Sequence, residues 1–117
     1  MAGIRVKGSW KRYYPAPEGV VPRLVIKYAG NYFCKRVKFY TPRRTGRMYR
    51  GWRCSISRNT FIVRNRVRYT SYLNSGETLA RDRSKGFMIR RAWADTQKKV
   101  RKKFGIDINV HINLRYY

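Results

Sequence analysis

The sequence predicts a small α+β domain: a mostly antiparallel sheet, built from a hairpin and a C-terminal strand, packed by two amphipathic helices and preceded by an extended N-terminal arm. Three patterns in the 117 residues carry this expectation. Two segments repeat apolar residues at three- and four-residue intervals. Two neighbouring runs alternate with period two across a short polar turn, and a last run alternates without a fault.

Taken in order, residues 1–21 form the arm, with a short strand over Ile4 to Lys7 followed by WKRYYPAPEGVVP, a stretch of three prolines and repeated aromatics. Residues 22–117 form a single domain. Its first helix opens at Pro22, where the missing N–H costs nothing, and stops before Pro42. Ile26, Ala29, Phe33, Val37 and Tyr40 make its apolar stripe; Arg23, Lys27, Asn31, Lys35 and Lys38 lie opposite. TPRRTGRMYRGW, residues 41–52, is a connection in which Gly46 and Gly51 allow the turns.

Trp52, Cys54 and Ile56 then alternate with Arg53, Ser55 and Ser57. Beyond the turn at Arg58-Asn59, Phe61, Val63, Val67 and Tyr69 alternate with Ile62, Arg64, Arg66 and Arg68. Asn65 interrupts the apolar face, which suggests a bulge or an edge position. Residues 71–86 have no period and read as a long exposed loop. A second helix spans about Gly86 to Phe104 and is stopped by Gly105. Residues 106–114, IDINVHINL, are a half-buried strand with Ile106, Ile108, Val110, Ile112 and Leu114 inward.

Charge narrows the function classes. Against 29 Lys+Arg stand 5 Asp+Glu, a net charge of +24. Such a density repels itself in the compact state and attracts polyanions, nucleic acid first and acidic protein next. No window approaches the ~18 apolar residues of a membrane span, and Met1 to Lys11 lacks a signal-peptide core, so no membrane partner and a cytoplasm-like setting are expected. Cys34 and Cys54 read as small core residues rather than a disulfide or reactive pair, and His111 lies on a polar strand face. With five scattered acids and one histidine, no catalytic, metal or cofactor site is expected. A Mg²⁺ site from Glu77, Asp82 and Asp95 is outweighed by ordinary ion pairing with the neighbouring arginines.

Binding chemistry is better represented. Arg64, Arg66 and Arg68 share one strand face at intervals of roughly 7 Å, close to the phosphate repeat of a nucleic-acid strand, and Arg53 joins them from the pairing strand. The alternative is a solvated edge that charge keeps from aggregating. Lys98, Lys99, Arg101 and Lys102 crowd the end of the second helix, where dipole compensation and polyanion contact explain them equally well.

The run PRRTGRMYRGWRCSISRNTFIVRNRVRYTSYLNSG, residues 42–76, resembles the central block of the phage tail-completion or head-to-tail joining proteins, the minor tail component family of long-tailed phages. Pro42, Arg44, Thr45, Gly46, Arg47 and Met48 match that family's turn; Val67, Tyr69, Tyr72 and Gly76 match the end of its next strand, and Gly86, Phe87, Met88 and Ala92 match the opening of its last helix. Thr70 and Asn74 stand where the family prefers Ala and Glu. The resemblance implies a non-enzymatic subunit of the virion neck, in a homo-oligomeric ring, often sixfold, between the head connector and the tail tube. It is assembled in the host cytoplasm, and its partners are further copies of itself, adjoining neck and tail-tube proteins and the double-stranded DNA of the packaged genome. Arg43, Arg44, Arg47 and Arg50 are then candidates for subunit contact, as are Tyr13 and Tyr14 of the arm and Tyr72, Glu77 and Asp82 of the long loop. The alternative is a free nucleic-acid-binding protein of ribosomal or nucleoid type that does not read sequence.

Overall fold

The computed structural model describes residues 3–10, 19–41, 46–67, 88–105 and 110–116, the side chains of residues 111 and 116 excepted. The order is β1 (Ile4–Trp10), α1 (Pro22–Tyr40), α2 (Arg47–Arg50), β2 (Arg53–Ile56), β3 (Thr60–Asn65), α3 (Met88–Phe104) and β4 (Val110–Tyr116). The strands form one antiparallel sheet in the order β2-β3-β1-β4, and the fold is α+β as the pattern predicts. α1 lies across one sheet face and α3 packs along α1. Between the layers Ile4, Val6, Phe61 and Val63 meet Val25, Ile26, Ala29, Phe33 and Val37, with Ala92 and Val100 closing the core from α3.

The largest correction concerns the first strand. The short strand expected over Ile4 to Lys7 runs on to Trp10 and belongs to the sheet rather than to an arm: it is an interior strand, paired with β3 on one side and β4 on the other. The apolar alternation ends at Val6 because Gly8 takes the next inward position, and it does so for a steric reason. A Cβ on Gly8 would fall inside the ring of Phe61, its partner across the sheet. The same ring approaches α1 from below, where a Cβ on Gly30 would stand 2.8 Å from the Phe61 Cβ. Phe61 thus fills a space that two glycines leave open, and Phe33 and Trp93 complete a three-ring cluster at centroid distances of 5.6 to 6.2 Å.

The connection 41–52 is more ordered than a loop. Gly46 has φ 71°, the left-handed conformation glycine tolerates, and α2 follows it. Gly51 has an ordinary φ of −76°; what it supplies is space, since a Cβ there would stand 2.8 Å from Asn65 Oδ1. Asn65 is neither bulged nor at an edge. It is fully buried in an interior strand, its Nδ2 donating to Met48 O at 2.8 Å and its Oδ1 accepting from Val67 N at 2.9 Å. The ends of the connection are tied as well: Trp52 Nε1 donates to Thr41 Oγ1 at 2.8 Å, and that hydroxyl donates to Val37 O at 2.7 Å.

The cysteines differ from expectation in a second way. Cys34 of α1 is buried, but Cys54 of β2 is exposed, and the two are joined as a disulfide with Cα atoms 6.4 Å apart. Their 20-residue separation hid the pairing, because proximity here is set by α1 crossing the sheet edge. The last strand begins at Val110, and residues 106–109 lie outside the described residues, as does the long loop 71–86.

Replacing Gly8 with alanine should destabilise the domain by about 2 kcal/mol through overpacking against Phe61. Phe61→Leu in the same chain should recover part of that loss, and urea denaturation of the single and double variants would check it. Additive losses would show that the ring is not what excludes a side chain at position 8.

Candidate nucleic-acid interface

Side chains alternate along a strand, so residues opposite one another in register point to the same sheet face. With Ile4, Val6, Phe61 and Val63 turned toward the helices, Arg5, Lys7, Ile62 and Arg64 face the other way. Arg5 pairs with Arg64 in β3 and with Arg115 in β4, and Arg64 pairs with Arg53 in β2. Four arginines therefore form one row across the whole sheet, Arg53–Arg64–Arg5–Arg115, at the roughly 4.8 Å strand spacing. Lys7 stands two residues along β1, and Arg66 continues just beyond β3.

Arg53, Arg64 and Arg66 line one shallow hollow with Arg47 and Gly51; Arg5, Lys7, Asn113 and Arg115 line another. Arg53 is held in place by donating from Nη1 to Arg50 O at 2.9 Å. None of the described side chains on this face is aromatic, so it has no platform for stacking bases. What the row can do is present several guanidinium forks to phosphates or carboxylates.

The row is costly in the free protein, because like charges directly opposite one another destabilise a strand pair. Asp95 is the one described carboxylate, and it lies in the other layer. Its Oδ2 accepts from Tyr40 Oη at 2.6 Å and from Arg36 Nε at 2.9 Å, with Arg36 Nη2 2.7 Å away. Burial opposes ionisation of this carboxyl, but the hydrogen bonds from Tyr40 and Arg36 outweigh it and hold the group below the usual carboxylate range. Asp95 is thus an ion-pair partner, while Glu77 and Asp82 lie outside the described residues.

The Asp95 pair is one rung of a ladder between antiparallel helices. Tyr28 with Lys103, Tyr32 with Lys99, Arg36 with Asp95 and Tyr40 with Arg91 follow at four-residue steps on both α1 and α3. The Lys103 Nζ sits 4.7 Å from the Tyr28 ring centre and that of Lys99 5.8 Å from Tyr32.

The expected DNA-contact residues thus divide. Arg53, Arg64 and Arg66 share the open sheet face, Arg68 lies outside the described residues, and Lys98, Lys99, Arg101 and Lys102 are exposed on the helix layer instead. Of the expected subunit contacts, Arg47 and Arg50 are exposed on α2, whereas Arg43, Arg44, Tyr13, Tyr14 and Tyr72 lie outside the described residues. Arg5, Lys7 and Arg115 were missed. Their signal was present, since Arg5 and Lys7 alternate with Ile4 and Val6, and Arg115 continues the alternation of Asn113.

In class, the open face is a row of arginines on one side of an antiparallel sheet, with no aromatic among its described side chains. No known protein family, curated protein or solved structure matches the chain.

Because the folded pKa of Asp95 is lowered, its stabilising contribution is complete above the unfolded pKa and is lost as pH falls through the folded one. Asp95→Asn should cost about 1 kcal/mol at neutral pH. The gap to wild type should begin to narrow below about pH 4, the unfolded carboxyl value, and close as pH falls through the lower folded one, in urea titrations run across the acid range. A gap that persists there would show that the carboxylate charge is not what α1 and α3 share.

Proposed function

We propose that this protein is a structural, non-catalytic subunit of the neck or tail-completion ring of a long-tailed phage, joining the head connector to the tail and holding packaged duplex DNA by its phosphates. The row Arg53–Arg64–Arg5–Arg115 carries the DNA part of the reading. A face that sets like charges in register, at a cost to the free domain, makes physical sense where a polyanion relieves the repulsion. A ring multiplies that row by its copy number. Contact confined to phosphates suits a genome end whose sequence varies.

The neck part is supported by the resemblance over residues 42–76 and by the structured turn at its centre, where Gly46 opens α2 and Asn65 holds Met48. The Cys34–Cys54 bond suits a particle that leaves the reducing cytoplasm. The net charge by itself would equally serve a free nucleic-acid-binding protein, and the state of assembly separates the two.

Arg5→Gln with Arg64→Gln should lower duplex affinity uniformly across sequences and reduce the slope of log K against log salt by about 2, since each lost phosphate contact removes about 0.9. The same variant should melt higher in the absence of DNA, by roughly 0.2 to 1 kcal/mol for each relieved pair. An unchanged salt slope would place the DNA contacts elsewhere. Closed rings of purified protein in electron micrographs are the expected assembly, and a monomer that keeps full duplex affinity would favour the free binder.

A further inference from the structure

The helix layer carries a second set of exposed cations whose chemistry differs from that of the sheet. Five of the six cations named on the open sheet face are arginines, and its other described residues include Ser55 and Asn113. Along the outer groove between α1 and α3 the exposed charges are Lys98, Lys99 and Lys102, beside Tyr32, Arg36 and Asp95; the Asp95 carboxylate is already taken by Arg36 and Tyr40, which leaves the three lysines as the net charge of the groove. Close by, Phe39 is 60% exposed with the Arg36 guanidinium 4.2 Å from its ring centre.

We propose that this groove is a separate docking surface for an acidic protein segment that carries aromatic or aliphatic side chains among its carboxylates. The apolar surroundings of these cations favour protein over a second stretch of DNA. Lysine ammonium groups are point charges that serve carboxylates and phosphates alike, so charge calls for an acidic ligand and the neighbouring side chains choose its kind. Exposed Phe39 gives an apolar contact that a sugar-phosphate backbone does not use but a protein partner does. Tyr32 lines the groove with Lys99 over its ring, so an entering chain meets an aromatic side chain as well as charge. Lys98 and Lys102 stand one helical turn apart, about 6 Å, and would meet carboxylates spaced four apart on a partner helix. The groove lies on the layer opposite the arginine row, so both ligands can be held at once. In this respect the inference rests on the DNA reading above, but the groove itself does not.

The test compares two variants that each remove two positive charges, Lys98→Gln/Lys102→Gln on the helix layer and Arg5→Gln/Arg64→Gln on the sheet. The probes are a short DNA duplex and a labelled peptide of glutamates with phenylalanine at every fourth position, titrated into the full oxidised chain. The helix-layer variant should weaken the peptide about tenfold, the factor two exposed charge contacts supply, and leave the duplex nearly unchanged. The sheet variant should do the reverse, Phe39→Ala should weaken the peptide alone, and saturating duplex should leave peptide binding intact. Equal loss of both probes in both variants would reduce the effect to net charge and overturn the proposal. Loss of duplex rather than peptide in the helix-layer variant would place a second DNA segment in the groove and overturn it too. If wild type binds peptide in this pattern but no duplex, the DNA reading fails and the groove stands.

Discussion

The fold turns on the space around one ring. Phe61 projects from β3 with its ring tip over Gly8 and the base of its side chain beneath Gly30, so strand and helix backbones both approach it where larger residues would hold them apart. That approach sets the height of α1 above the sheet. With α1 at this height Phe33 reaches Phe61, Trp93 of α3 covers both, and Cys34 comes within bonding distance of Cys54 on the edge strand. A domain this small buries about two-thirds of its unfolded surface, so a close-packed aromatic centre and a covalent tie between helix and edge strand count for much of its margin.

Placement of charge follows from the same two layers. The apolar residues are spent on the interface between helices and sheet, which leaves cations on the outside of both. On the helix layer the protein manages them internally: lysines lie over tyrosine rings, and the described carboxylate takes three donor contacts on one oxygen. On the sheet no described group plays that part. The two surfaces are therefore not equivalent stretches of one basic coat. One is partly satisfied within the domain and has apolar neighbours, and the other is a bare row of like charges.

Much of the fold was legible in the sequence, and what was not has identifiable causes. α1 and the β2–β3 hairpin announced themselves by period, and their observed bounds lie close to those expected. The start of β1 was read as a strand over Ile4 to Lys7, but its extension to Trp10 was hidden because its third inward residue is Gly8, so the apolar alternation stops where packing demands the least side chain. Asn65 looked like a defect because its partners, Met48 O and Val67 N, are visible only in three dimensions. Half of the arginine row was legible as strand periodicity in Arg53 and Arg64. Arg5 and Arg115 carry the same strand alternation, but their place in the row was not legible, because β1 and β4 enter beside β3 from opposite ends of the chain and no local pattern encodes that register.

Register also explains why the row can exist at all. A two-residue shift keeps the inward and outward faces of a strand, and in β2, β1 or β4 it could set Ser55, Lys7 or Asn113 where an arginine now meets its neighbour. The observed alignment is fixed by Phe61 opposite Gly8 and by Asn65 opposite Ile4, contacts that tolerate no slip. The packing centre thus imposes the electrostatic penalty on the outer face. A ligand that binds the folded row and not the unfolded chain returns that penalty as stability, so the domain should be firmest when its sheet is occupied.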